Sequence, residues 1–293
     1  MKALLICPEP QSAVHSLSDE WPLAALPLLG SSVIESWLVH LAGLGFKQIV
    51  IHAGDRVEAI RSIVGSGSRW GLEIEMVSVS PGHIDAEVSD ALSGALAKQM
   101  NTMDCLEVLD HLPTQTNANM FASYANWFRA VQVRLPHALT PDRVGMKEIR
   151  PGVFAGHQSR ISPAAVLTAP CWVGNQAVVD SSAVIGPHAV VEDRAMIKKG
   201  ARIIRSIIGP DTLVGRHTQI KDSLVSGERL INWSNGSSIR VTDVFLISSL
   251  RASLPERSLR SPKAVLELSP KPFADNLQEP TYTPVPEGKS LTI

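Results

Sequence analysis

The sequence predicts an α/β domain with a Rossmann-like parallel sheet, followed by a β solenoid and an extended tail. Three observations predict it. From residue 161 to 203 the chain repeats every six residues without a slip. Before the repeat, short apolar runs alternate with amphipathic stretches, the pattern of parallel strands joined by helices. After it, Pro255, Pro262, Pro270, Pro272, Pro280, Pro284 and Pro286 punctuate a stretch with few large apolar residues.

In the repeat, the first position reads Ile161, Leu167, Val173, Val179, Ile185, Val191, Ile197 and Ile203. The fifth reads Ala165, Cys171, Ala177, Ala183, Ala189, Ala195 and Ala201. A helix would repeat its apolar face at three to four residues and a flat strand at two. One large and one small inward column at a six-residue period mark stacked coils. Fully burying each large side chain contributes roughly 1.5–3 kcal/mol, much of it offset by the entropy of ordering the chain. Residues 203–208 reappear as residues 220–225, seventeen positions on. Two units of six and one of five account for that spacing. A three-sided coil whose period shortens once is therefore expected, with residues 240–245 as a looser third copy after a turn-rich insertion at 232–238.

The first part reads as strands at 3–7, 47–52, 72–79 and 106–109, with helices at 31–44, 57–64, 89–99 and 119–132. Helix 31–44 places Val33, Ile34, Trp37, Leu38 and Leu41 on one face, with Ser31 or Ser32 as N-cap and Gly45 just beyond. Gly65-Ser66-Gly67-Ser68 ends the next helix. Pro136, Pro141 and Pro151 suggest a linker. The expected divisions are an α/β domain at 1–135, a linker at 136–158, a β-helix at 159–250 and a tail, extended or disordered, at 251–293.

A net charge of −1 gives no reason to expect nucleic acid as a partner. No apolar run approaches a membrane span and the N-terminus lacks a signal-peptide pattern, so a cytoplasmic protein without membrane contact is expected. Cys7, Cys105 and Cys171 are too few and too far apart for a disulfide framework or a zinc site. His157, His188 and His217 show no short-range metal-ligand spacing. Arg194, Lys198, Lys199, Arg202, Arg205, Arg216 and Lys221 make the solenoid locally basic, either a solvated face or a docking surface.

Several segments carry a family resemblance. Trp21-Pro22-Leu23-Ala24-Ala25-Leu26-Pro27-Leu28-Leu29-Gly30 with Ile34-Glu35, the Gly65–Leu72 turn, and Ser93-Gly94-Ala95-Leu96 occur in order. They resemble the "P-K-P-L-L-P-V-x-G", "G-D-G-S-x-x-G" and "T-A-G-A-L" segments of the sugar-1-phosphate nucleotidyltransferases (nucleotide-sugar pyrophosphorylases). The solenoid resembles the left-handed parallel β-helix of hexapeptide repeats that many members carry at the C-terminus. The resemblance implies nucleotide contact at Ser93, Gly94 and Ala95 and a Mg²⁺-binding carboxylate at Asp110.

The departures fall where the chemistry should be. The family's "G-G-x-G-T-R-L" loop cradles a triphosphate on backbone amides and neutralises leaving pyrophosphate with an arginine. Here the first strand runs into Cys7-Pro8-Glu9-Pro10-Gln11-Ser12. No glycine permits close approach, two prolines lack N–H donors, and Glu9 repels phosphate. The family's lysine is Leu23. Losing one preorganised electrostatic donor commonly costs ~10²–10³ in rate, and phosphoryl-type transfer depends on little besides positioning and charge neutralisation.

The expected protein is thus nucleotidyltransferase-like, in sugar-nucleotide and surface-polysaccharide metabolism. Its ancestral reaction is lost, and no catalytic residue is assigned. Its expected roles are regulatory, binding or scaffolding. Partners implied by the resemblance are a nucleotide or nucleotide sugar, and a second copy or a related nucleotidyltransferase met through the β-helix. The alternatives are an active, Mg²⁺-dependent transferase with a rebuilt site and, further off, a β-helix acyltransferase.

Overall fold

The computed structural model describes residues 1–78, 104–114, 119–137 and 145–251. The helix expected at 89–99 and the tail from residue 252 lie outside them. Residues Met1–Ala252 form one compact unit.

The α/β layer holds four parallel strands in the order Glu73–Ser78, Gln48–Ala53, Lys2–Ile6, Cys105–Val108. Chain order reverses between the last two, the usual ligand crevice of such a sheet. Helix Val33–Gly43 starts on a capping box: the Ser32 hydroxyl accepts from the Glu35 N–H and the Glu35 carboxylate accepts from the Ser32 N–H. It buries Val33, Ile34, Trp37, Leu38 and Leu41, the face read from the sequence. Helix Val57–Val64 ends at Gly65, and helix Tyr124–Arg134 is capped by Ser123. In the turn between helix Val57–Val64 and the edge strand Glu73–Ser78, Gly67 sits at φ +79°, and a Cβ there would meet the Leu72 carbonyl at 2.6 Å. The expected Gly-Ser-Gly-Ser turn thus depends on its second glycine.

The repeat folds into a parallel β-helix with three sides. One side stacks Val153–Ala155, Cys171–Val173, Ala189–Val191, Ile207–Ile208 and Ser223–Ser226. The second stacks Arg160–Ile161, Val178–Val179, Met196–Ile197 and Thr212–Val214, and the third Val166–Leu167, Val184–Ile185, Arg202–Ile204 and Gln219–Lys221. Both inward columns are buried: Val173, Ile185, Val191, Ile197 and Ile203 are 0% exposed, as are Ala177, Ala183, Ala189, Ala195 and Ala201.

Three expectations need correction here. The period shortens twice, not once. Corner residues with positive φ run His188, Arg194, Gly200 and then Arg205; the series goes on through Asp211 and His217 to Asp222. The five-residue units therefore lie at the same corner of successive coils, and stacking forces this. A residue lost from one coil leaves its neighbour out of register unless that neighbour loses one too, so Val190 faces Ile207 and Ile207 faces Leu224. The third copy at 240–245 is no coil. Arg229–Asn232 and Ser237–Arg240 form an antiparallel hairpin, and Ile247–Ser249 closes the second side antiparallel. Lastly, the span read as a linker carries strands Lys147–Arg150 and Val153–Ala155. The latter pairs with Cys171–Val173, so the first coil begins inside it.

The α/β layer and the β-helix share one hydrophobic core. On the first side, the residues between the inward positions are Phe154, Trp172, Val190, Ile207 and Leu224, in register from coil to coil. They face outward from the β-helix yet are buried, because the α/β layer packs on them. Phe128 of helix Tyr124–Arg134 stacks on Trp233 of the hairpin at 4.4 Å and 10°. The Trp233 indole donates to the Arg205 carbonyl at 3.0 Å.

Candidate functional site

The crevice at the strand-order reversal should hold the phosphate loop. Instead, Cys7 is 5% exposed and burial pushes its thiol up to about 12. Its amide donates to the His52 carbonyl at 2.8 Å. The chain then enters a kinked 3-10 helix, Ser12–Leu17. The Val14 amide donates to the Gln11 carbonyl, Ser16 to the Tyr124 hydroxyl, and Ser18 to the His15 carbonyl. These donors serve the chain's own fold, and Pro8 and Pro10 supply none. No anion cradle forms from them.

Across the crevice, the Asp110 carboxylate meets the His111 Nδ1 at 2.9 Å, with Glu107 on the other ring nitrogen at 3.7 Å. Trp37 donates to the His111 carbonyl at 3.0 Å and packs edge-on against its ring. The carboxylate thus faces a histidine rather than an open cation position. Among the described residues no group of three or more His, Cys, Asp or Glu side chains assembles to hold a metal. Ser93, Gly94 and Ala95 lie outside the described residues.

The histidines do not converge within the chain. His157, His188 and His217 occupy three different corners of the β-helix, their amides bound to Asn175, Pro170 and Lys199 respectively. His188 Nδ1 lies 3.1 Å from Gln132 Oε1. The basic stretch is partly neutralised one coil on: Arg194 pairs with Asp211 at 2.6 Å and Arg205 with Asp222 at 2.6 Å.

What the fold builds instead is a cavity of about 400 Å³ where the α/β layer meets the β-helix. Leu17, Trp21, Leu26 and Trp127 line it from one side, and Ile207, Leu224 and Ile231 from the other. Its charged groups are matched in pairs. Arg229 reaches Asp19 at 2.8 Å, Arg240 reaches Glu228 at 2.8 Å, and Glu20 accepts from the Ser226 hydroxyl and from Arg251. The Arg251 guanidinium lies over the Trp21 ring, 4.6 Å from its centre. Glu192, 2% exposed, accepts from the Leu29 and Gly30 amides at 2.7 Å each. The Trp21 indole nitrogen is buried with no acceptor among the described residues. None of this was visible as a motif, since it joins residues 16–27 to residues 192–249. The one local signal was Glu192, an acid directly after the strand-forming pair Val190-Val191.

Residues 149–261 match the GMPPB C-terminal domain. The matched segment takes in every coil described above. Among solved structures, a mutant of perosamine N-acetyltransferase from Caulobacter crescentus, in complex with CoA and GDP-perosamine, is 18% identical. That match covers 62% of this chain and 93% of that chain, with a TM-score of 0.18. PerB from the same organism, in complex with the same two ligands, is 19% identical over 62% of this chain and 94% of that chain, with a TM-score of 0.17. No curated protein matches the chain. Among the described residues no helix is long and apolar enough to cross a membrane.

Proposed function

We propose that this protein is a non-catalytic relative of the sugar nucleotidyltransferases, serving sugar-nucleotide and surface-polysaccharide metabolism in a regulatory, binding or scaffolding role. One observation carries the reading. Where a triphosphate would need free amides and a cation, the loop after the first strand offers Pro8, Glu9 and Pro10. The nearby amides of Cys7, Val14, Ser16 and Ser18 already donate within the chain. Leaving pyrophosphate carries a large negative charge. Without preorganised donors, the transition state gains nothing over water. The GMPPB-type coils support a link to nucleotide-sugar metabolism, and a homologous nucleotidyltransferase or second copy is the partner that a β-helix surface would meet.

The test is a panel of nucleoside triphosphates and sugar-1-phosphates with Mg²⁺, read as pyrophosphate release. No turnover above background is expected. Turnover at an ordinary enzymatic rate, on the order of 1 s⁻¹ or more and abolished by Asp110→Ala, would overturn the reading. Pull-down of a catalytically complete nucleotidyltransferase by the purified full chain, with a change in that enzyme's rate, is the expected sign of a regulatory role.

A further inference from the structure

We propose that one corner of the β-helix, together with its third side, docks on an anionic lipid bilayer. Successive levels of that corner carry Lys199, Arg216 and Phe245. The His217 amide donates to the Lys199 carbonyl at 3.0 Å, which stacks Arg216 on Lys199. Val214 pairs antiparallel with Ile247, and the Gly215 amide donates to the Leu246 carbonyl at 2.8 Å. That register sets Phe245 beside Arg216. Gly215 lets the turn lie this close, since a Cβ there would collide with the Phe245 carbonyl.

Two independent features meet here. The first is apolar. Phe245 is 82% exposed, Val244 51% and Leu246 45%. The turn that presents them is nonetheless fixed: the Asp243 side chain accepts the Phe245 amide at 2.9 Å, and its carbonyl accepts the Leu246 and Ile247 amides. An exposed apolar group of this kind marks an interaction site. The second feature is charge. Lys199, Arg202, Arg216 and Lys221 are exposed, and among the described residues none of them forms an ion pair. Arg202 pairs in register with Gln219, and Lys221 with Ile204, so both lie on the third side. Residues 162–168, 181–187, 199–204 and 216–221, which form this corner and side, include no acid. Of the flanking acids, Asp180 faces Lys198 at 3.9 Å and Asp222 is held by Arg205. Asp243, in the turn, subtracts one charge. The apolar tip projects rather than lining a pocket, and the cations spread over a flat sheet face rather than converging. A bilayer suits both: the tip sinks below the headgroups while the cations stay level with the phosphates. Such contact needs no spanning segment. It uses none of the residues around Cys7 or Asp110, so it stands apart from the lost transfer chemistry.

Co-sedimentation of the full chain with vesicles tests it. Binding is expected to phosphatidylcholine vesicles that contain about 30 mol% phosphatidylserine, at sub-millimolar lipid, and not to phosphatidylcholine alone. Raising NaCl to about 0.5 M should release the protein, because screening shortens the reach of the cations. Each cation near an anionic surface is worth about fivefold, so Lys199→Glu combined with Arg216→Glu should weaken binding by at least about tenfold. Phe245→Ala should weaken it about threefold or more through lost apolar burial. All three positions are exposed, and far-UV circular dichroism and melting temperature establish that each variant is folded. Absence of binding to the anionic vesicles overturns the proposal. So does equal binding to phosphatidylcholine alone, or unchanged binding in either folded variant. Sedimentation velocity without lipid supplies the last outcome: self-association abolished by the same substitutions, with no vesicle binding, would assign the surface to a second copy and overturn the proposal as well.

Discussion

Glu192 on the β-helix accepts the Gly30 amide at 2.7 Å, tying together residues 162 positions apart. Gly30 closes the segment that most resembles a nucleotidyltransferase signature, and its neighbour Leu29 donates to the other carboxylate oxygen. The signature segment is thus a structural clasp here. Glu192→Ala would remove this acceptor from the buried Leu29 amide and the part-buried Gly30 amide, and hydrogen bonds to a charged group are worth about 1.5–3 kcal/mol each. We expect a loss of about 3 kcal/mol in urea denaturation, with Glu192→Gln losing less because it keeps one acceptor oxygen. A loss below about 1 kcal/mol for the alanine variant would show that the clasp does not hold the two layers.

Trp172 tests the shared core. It is 0% exposed although it points away from the inside of the β-helix. Trp172→Ala should cost about 3–5 kcal/mol, the usual range for emptying a large aromatic site. The inward Val173→Ala removes far less volume and should cost less. If the outward position proved the cheaper of the two, the packing of the α/β layer on that face would be refuted.

The contrast between these neighbours explains what could be read in advance. The inward columns recur every six residues, so Val173 and Ala177 declare themselves over a short window. Phe154, Trp172, Val190, Ile207 and Leu224 recur only once per full coil. Their pattern emerges after a three-sided coil is assumed and its two five-residue units are placed. The helix face of Val33, Trp37 and Leu41 was legible because its period and its Ser32 cap are local. The cavity was not, because Trp21, Glu192 and Arg229 become neighbours only when the two layers meet. The loop after the first strand was legible in part: Pro8 and Pro10 lack N–H donors by their chemistry alone. The use of the remaining amides depends on partners such as Tyr124.

The three cysteines should separate cleanly in thiol titration. Burial pushes Cys7 up to about 12 and Cys171 up to about 11, and both are buried. At pH 8 neither supplies much thiolate, the reactive form. Cys105 is only partly buried, and its thiol is raised first by burial and then by the Glu107 carboxylate, 3.7 Å from its sulfur. Native protein treated with a chromogenic disulfide reagent should therefore release one equivalent, from Cys105, and the remaining two only in denaturant. Glu107→Gln should speed the native reaction by lowering the Cys105 value. Fast native labelling of Cys7, located by mass spectrometry, would contradict its burial at the end of the first strand.

Acid should loosen the C-terminal closure of the β-helix through Asp211. Its carboxylate takes two hydrogen bonds from Arg194, at 2.6 and 2.8 Å, and a third from Arg251 at 3.2 Å. Arg194 holds it below the ordinary carboxylate range, burial opposes this, and Arg251 adds to the lowering. A carboxyl group with a lower value folded than unfolded binds more protons when unfolded, so its contribution to stability rises with pH. That contribution is complete above the unfolded value, about 3.9, and disappears as pH falls through the folded one. Arg251 also pairs with Glu20, so protonating Asp211 weakens a bridge between strand Ile247–Ser249 and the cavity rim. Urea midpoints from pH 7 to pH 3 should fall more steeply for the native protein than for Asp211→Asn. The other carboxylates titrate alike in both, so the difference between the curves isolates Asp211. Two curves that stay parallel down to pH 3 would mean that the Arg194–Asp211–Arg251 bridge adds nothing in solution.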